Sequence, residues 1–266
     1  MYNLIVPAGI GDFSWMYSKL VGLGKEINLT ISCDAPKRLG PYTELLPLVK
    51  SVNYDGPTFP VIREKAIKNV SELVEDTPIY IEANTHLERG NKLETWLPEL
   101  PINKHYLLNL GTLNLDYDYI VIYTSSMGMV KCWNGWGVNE WWDFLRAFNR
   151  DFKDYPIVFV GAPWDVDIVK KIVERVKERR MLLIDYSGIL HIKDTLSLIK
   201  GSKYFLGFPS GLSILANVLG VKATMFYSEQ IKNIMGTWAD SHNFDERLYE
   251  NPRTYYKYFR RKMCER

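Results

Sequence analysis

Phe205-Leu-Gly-Phe-Pro-Ser-Gly-Leu-Ser-Ile-Leu-Ala-Asn-Val-Leu-Gly220 decides how this chain is read. Tyr204, Phe205 and Leu206 form an apolar strand, and the chain turns through Gly207 to Gly211. Leu212, Leu215, Ala216 and Leu219 then fall on one face of a helix. A strand that ends in small residues and opens a helix leaves backbone N–H groups free where the helix dipole is positive, which suits a phosphate. An ordinary tight connection in a parallel sheet has the same signature. The segment therefore fixes a strand–turn–helix unit and leaves its ligand open.

The same unit recurs on both sides of this segment. Tyr119 to Tyr123 reads as a strand, followed by the polar and aromatic loop Thr124 to Gly137 and a helix with Trp141, Phe144, Leu145 and Phe148 on one face. Pro156 to Val160 is the next strand, Gly161 to Trp164 its turn, and Val166, Val169, Ile172, Val173 and Val176 mark another helix. Met181 to Ile184, a helix over Asp194 to Lys200, and the strand Val221 to Tyr227 complete the alternation, which stops at Ser228. Strands alternating with helices at this spacing predict a parallel sheet covered on both faces. Right-handed crossovers put the turns that follow the strands on one rim.

The first half starts the same way. Tyr2 to Val6 is a strand, Pro7 to Asp12 a turn, and Phe13, Met16, Tyr17, Leu20 and Val21 have helical spacing. Asp12 falls at or beside the helix N-cap, either as a cap or as a carboxylate at a strand end, where open α/β sheets place their sites. Strands are expected at Ile27 to Ser32, Val49 to Tyr54 and Pro78 to Glu82. Pro57 to Pro60 reads as a break, and Ile62 to Val74 as a helix. Glu82, Asn84, His86, Glu88 and Arg89 gather at the end of the fourth strand, and His86 is a candidate for acceptor binding.

Composition excludes several classes. A net charge of +2 is no polyanion-binding signature for the chain as a whole. Cys33, Cys132 and Cys264 are odd in number and widely spaced, which argues for a reducing compartment and against a disulfide frame or a zinc site. No run approaches the roughly 18 apolar residues of a membrane span. The first strand starts almost at Met1, leaving no room for a signal peptide, so a cytoplasmic protein is expected. The tail from Pro252 interleaves Tyr255, Tyr256, Tyr258 and Phe259 with Arg253, Lys257, Arg260, Arg261, Lys262 and Arg266. It reads as a terminal helix packed by its aromatics, or as a contact surface for nucleic acid or an acidic membrane.

Four pieces taken in order resemble the heptosyltransferase-like glycosyltransferases, family 9 of the GT-B class. Gly9-Ile-Gly-Asp12 is similar to the family's first turn. Thr124-Ser-Ser with Lys131-Cys-Trp133 resembles its strand-end hydroxyls and K-x-W segment. Val160-Gly-Ala-Pro163 with Asp165 resembles its glycine-rich turn and acidic residue, and Gly207 to Leu219 its donor-phosphate segment. Two positions depart. Pro209 stands where the family has Asp, and Ile214 where it has His.

The resemblance implies an α/β chain of two Rossmann-like domains whose parallel sheets face a cleft. Residues 1–115 would form an acceptor-side domain, 116–250 a nucleotide-sugar-binding domain and 251–266 a basic aromatic helix. It implies a transferase that moves a sugar from a nucleotide-diphosphate sugar to a hydroxyl of a saccharide such as lipopolysaccharide core, with no cofactor and no metal. A modified DNA base as acceptor and a nucleotide-sugar-binding protein without catalysis are the alternatives. Asp12 would be the base, held ionised by a helix terminus that lowers its pKa. Thr124, Ser125, Ser126 and Lys131 would neutralise the leaving group, and Ser210 and Gly211 would hold phosphate. Gly161, Ala162 and Pro163 would lie under the nucleobase or ribose. Gly11, Glu82, His86 and Trp133 would line the acceptor side, with Trp133 and Trp136 as candidates for stacking.

Overall fold

Strand β1 (Tyr2–Val6) buries alternate side chains and is followed by helix α1 (Ile10–Leu20), whose Phe13, Met16, Tyr17 and Leu20 are all buried. The computed structural model describes every residue except 35, 125–135, 177–180, 228–243, 249–250 and 265–266, and the backbone alone of 36–38, 227 and 244–248. Among the described residues no helix is long and apolar enough to cross a membrane. The chain divides into two compact units. The first holds Met1–Leu110 and Val218–Gly220, and the second Gly111–Asn217 and the described residues from Val221 on.

In the first unit β2 (Ile27–Ser32), β3 (Val49–Gly56) and β4 (Pro78–Tyr80) join β1 in a parallel sheet of order β3-β2-β1-β4. Leu4, Val6, Ile27, Leu29, Ile31 and Ile79 supply its core. Helices α2 (Pro36–Thr43), α3 (Phe59–Lys65) and α4 (Asn84–Glu88) complete it. The helix expected over Ile62 to Val74 is shorter and starts earlier. Pro60 falls in the first turn, where its missing N–H is no loss. Ala66 leaves helical geometry, and the Ile67 N–H donates to the Tyr80 carbonyl at 3.0 Å, so the chain turns onto β4 instead.

Lys19 of α1 is buried. Its ammonium donates to the carbonyls of Glu94 at 3.0 Å, Leu97 at 3.2 Å and Trp96. Burial lowers its pKa, and three carbonyl acceptors are what let a cation stay there.

The second unit contains β5 (Ile120–Tyr123), α5 (Val138–Asp151), β6 (Ile157–Val160), α6 (Val166–Val176), β7 (Leu183–Asp185), α7 (Ile192–Gly201), β8 (Tyr204–Gly207), α8 (Gly211–Val218), β9 (Ala223–Tyr227), β10 (Phe244–Leu248) and α9 (Pro252–Cys264). Its sheet is parallel with order β10-β9-β8-β5-β6-β7. Every residue of β5, β6 and β8 is buried, as expected for strands covered on both faces. Strand β10 corrects the expectation that the alternation ends at Ser228. It is an edge strand of sequence Phe-Asp-Glu-Arg-Leu, and an edge strand does not need a fully apolar sequence. Trp136 is also corrected. Instead of lying open in a loop it is 1% exposed and packs on Trp141, Phe226, Phe208 and Tyr255.

Candidate active site

Each sheet has one point where the chain reverses its direction of travel, and ligands of open α/β sheets bind outside the carboxyl ends of the strands there. In the first unit the chain passes from β1 to β2 to β3 and then returns to β4 on the other side of β1. The two strands at the switch are β1 and β4; Asp12 lies in the first turn of α1 after β1, and Glu82, Asn84 and Thr85 lie at the start of α4 after β4.

Gly9 is the N-cap of α1, with φ −78° and ψ 124°, and its carbonyl accepts the Phe13 N–H at 3.0 Å. Asp12 folds back over it. A Cβ on Gly9 would lie 2.6 Å from Asp12 Oδ2, so the glycine makes room for the carboxylate. The Asn84 side chain favours the charged form of Asp12, while its own Oδ1 is buried with no partner among the described residues. Glu82 is buried and accepts the Thr85 N–H at 2.8 Å, capping α4. Glu88 takes a two-pronged ion pair from Arg63, 2.9 Å to each oxygen.

These surroundings correct the expected protonation of Asp12. The helix terminus was expected to lower its pKa, but the carboxyl is pushed up to about 6. Burial is the main cause and the nearby charges of Glu82 and Glu88 add to it, while the Asn84 hydrogen bond opposes them. A carboxylate in this range suits a general base better than one held low, because it takes up a proton more readily.

His86 is placed differently from its neighbours. The Thr95 hydroxyl donates to the Lys92 carbonyl at 2.8 Å, so His86 Nε2, 2.8 Å from Thr95 Oγ1, is the donor of that contact. That edge of the ring is committed to the 92–95 turn. Gly11 is buried as the second residue of α1. Trp133 lies outside the described residues, as do Ser125, Ser126 and Lys131.

In the second unit the switch lies between β5 and β8, which pair through Ile122 and Leu206. Thr124 follows β5. It is fully buried, and its Oγ1 has no hydrogen-bond partner among the described residues. The turn after β8 brings Ser210 to the start of α8. Its Oγ accepts the Ser213 N–H at 3.2 Å, and its carbonyl accepts the Ile214 N–H at 3.2 Å. The Ser213 hydroxyl donates to the Phe208 carbonyl at 2.6 Å, so the Ser210 hydroxyl is the donor to Ser213 Oγ. Ser210 therefore spends its hydroxyl within the cap. The Gly211 and Leu212 N–H groups open the first turn of α8, where a helix presents donors to an anion.

Gly161, Ala162 and Pro163 follow β6, the neighbour of β5. Buried Asp165 accepts the Ala162 N–H at 2.8 Å, and a Cβ on Gly161 would lie 2.6 Å from Asp165 Oδ2. The pattern repeats that of Gly9 and Asp12: a glycine at a strand end, and an aspartate folded back over it. Thr124, the Gly161 turn and the start of α8 thus share one rim of this sheet.

No protein-family profile matches the chain, and no curated protein sequence does. Solved structures do match. The E. coli ADP-heptose LPS heptosyltransferase II superposes with a TM-score of 0.68 at 13% identity, over 99% of this chain and 98% of that one. The fold is that of the heptosyltransferases. A family 9 glycosyltransferase from Veillonella parvula shares it at a TM-score of 0.63 and 13% identity, over 100% of this chain and 90% of that one. A UDP-N-acetylglucosamine 2-epimerase from Listeria monocytogenes shares it less closely, at a TM-score of 0.52 and 11% identity, over 99% and 88%. The heptosyltransferase fold thus spans the chain, and Gly9 to Asp12, Thr124, Gly161 to Pro163 and Ser210 to Gly211 follow the ends of its strands.

Proposed function

We propose that this chain is a glycosyltransferase that moves a sugar from a nucleotide-diphosphate sugar to a hydroxyl of a saccharide acceptor such as lipopolysaccharide core. The observation that carries the reading is Asp12: a carboxyl at the strand end of a switch point, folded back over Gly9 and poised at about 6. In this role Asp12 takes the proton of the attacking hydroxyl as the bond to the sugar forms, and the diphosphate departs with the electron pair of the bond that breaks. The Gly211 and Leu212 N–H groups and the Thr124 hydroxyl hold the departing diphosphate, with Lys131 assigned to the same charge. The E. coli neighbour is described as acting with ADP-heptose, which supports a nucleotide sugar as donor.

A second reading, a nucleotide-sugar-binding protein that does not transfer, has its own support. Ile214 is buried and its side chain carries no polar atom, so it offers no hydrogen bond in place of the family's histidine. Pro209 likewise replaces the family's carboxylate. A DNA base as acceptor loses support because Tyr255, Tyr256 and Phe259 of the tail are buried and unavailable for stacking.

Thermal unfolding with a panel of ADP-, UDP-, GDP- and CMP-sugars tests the binding half, because a ligand that binds the folded state raises its stability. Release of nucleotide with a sugar-extended product tests the transfer half. A stabilising donor with no transfer to any saccharide acceptor supports the second reading, and no stabilisation by any donor defeats both.

A further inference from the structure

Helix α9 uses its two sides for different purposes. Tyr255, Tyr256 and Phe259 are buried in the core of the second unit against α5. Arg253, Lys257, Arg260 and Arg261 lie on the opposite face at helical spacing, all exposed, and no Asp or Glu stands within the helix. Arg146 and Arg150 of α5 extend this face.

Two carboxylates are shared among these cations. Asp143 lies 3.4 Å from Arg146 and 4.0 Å from Arg253. Asp151 lies 2.9 Å from Arg150 and 3.2 Å from Arg260. Among the described residues each carboxylate bridges α5 to α9 and leaves one guanidinium charge uncompensated, while Lys257 and Arg261 add two more. Between the helices runs a groove of about 640 Å³ lined by Arg146, Arg150, Arg253 and Lys257, with Asp143, Tyr256 and Met181 among its other walls.

We infer that this face docks onto the anionic headgroups of a lipid membrane. Guanidinium groups suit phosphate oxygens, and a surface of like charges is drawn to an anionic leaflet. The rim adds apolar contacts: Met181 lines the groove, and Leu182 beside it is 55% exposed. Nucleic acid fits less well. The other aromatic rings of α9 are buried, and Tyr258 carries Arg261 and Lys262 over its ring, so no free ring is offered to a base. The Leu182 carbonyl accepts the N–H of Ile157, the first residue of β6, at 2.8 Å. The groove therefore belongs to the amino-terminal rim of this sheet, opposite the rim of Thr124 and Ser210. The inference does not depend on the proposed reaction.

The test is co-sedimentation of the full chain with phosphatidylcholine vesicles, with and without phosphatidylglycerol, at low and high salt. The chain is expected to sediment with the anionic vesicles only, and to be released by salt. Lys257→Glu with Arg261→Glu, neither of which holds a bridging carboxylate, should weaken binding at least about tenfold. Thermal unfolding of this pair and of the milder Lys257→Gln/Arg261→Gln pair checks that the fold is intact. Equal sedimentation with neutral vesicles, no sedimentation, or an intact charge-altered pair that binds like the wild type overturns the inference. Tighter binding to duplex DNA than to anionic vesicles also overturns it, in favour of a nucleic-acid surface.

Discussion

The Asn84 side chain favours the charged form of the Asp12 carboxylate and so couples α4, which follows β4, to α1, which follows β1. The two residues are far apart in sequence and meet because the returning strand β4 pairs with β1. Asn84 thereby supports the ionised form of the carboxylate against burial. Asn84 Oδ1, buried and without a partner among the described residues, remains an acceptor beside it.

Removing that side chain should raise the Asp12 pKa further. Asn84→Ala is expected to lower turnover about tenfold and to move the acid limb of the rate–pH profile up by about one unit, the size of one hydrogen bond to a charged group. Carboxyl carbon NMR of labelled protein reads the same shift without any activity. An unmoved Asp12 titration would show that Asn84 does not set it.

Asp12→Asn should leave donor binding intact and reduce turnover at least about a hundredfold, the contribution of general base catalysis. It should also change stability in a pH-dependent way. The folded chain holds the Asp12 proton up to about pH 6, and the unfolded chain up to about pH 4. Between these values the folded state binds more protons, so stability falls as pH rises through that window and stays low above it. The asparagine variant escapes this loss. It is expected to be more stable than the wild type by about 1–3 kcal/mol near pH 8 and no more stable near pH 3. Chemical denaturation at the two pH values checks the sign.

Much of this site is visible in the sequence, and the rest is hidden for identifiable reasons. Gly9 and Asp12 stand out because a strand, a glycine-containing turn and a helix follow one another within twelve residues. Ser210 and Gly211 stand out in the same way. Asn84 stands out only as one of the polar residues after the fourth strand; its place beside Asp12 depends on β4 lying beside β1, and pairing between distant strands leaves no local periodicity. The Asp12 pKa was expected with the wrong sign because the helix terminus can be read from the chain, whereas burial and the charges of Glu82 and Glu88 come from packing. Trp136 follows a polar loop and precedes a glycine, which conceals its place in the core.

Gly9→Ala isolates the placement of the carboxylate. The backbone at φ −78° accepts alanine, but the new Cβ would lie 2.6 Å from Asp12 Oδ2, at the far end of a side chain that is able to swing away. Stability should change by no more than about 1 kcal/mol, the scale of an N-cap substitution. Turnover should fall at least about tenfold, because a catalytic group displaced by about an ångström loses its alignment. Normal turnover in this variant would show that Asp12 works from a different rotamer.

Trp136→Ala tests the core beneath the second site. The indole makes close ring contacts with Trp141, Phe226 and Tyr255, and its removal leaves a cavity. A loss of about 3–5 kcal/mol is expected by denaturant unfolding. A loss below about 1 kcal/mol would place the ring at the surface, as its sequence surroundings suggest.

Thr124→Val separates a binding role from a structural one. The buried Thr124 hydroxyl has no hydrogen-bond partner among the described residues, so it adds nothing to folding that a methyl group would lose. Replacing an unsatisfied buried hydroxyl by an isosteric methyl group should stabilise the chain by about 1 kcal/mol. If the hydroxyl serves the donor diphosphate, the same change weakens donor binding by about tenfold, the loss of one hydrogen bond to a charged group. The two effects run in opposite directions, so melting temperature without ligand and donor affinity by calorimetry distinguish them. A stabilised variant with unchanged affinity would remove Thr124 from the donor site and leave the Gly211 and Leu212 N–H groups as the phosphate ligands of this rim.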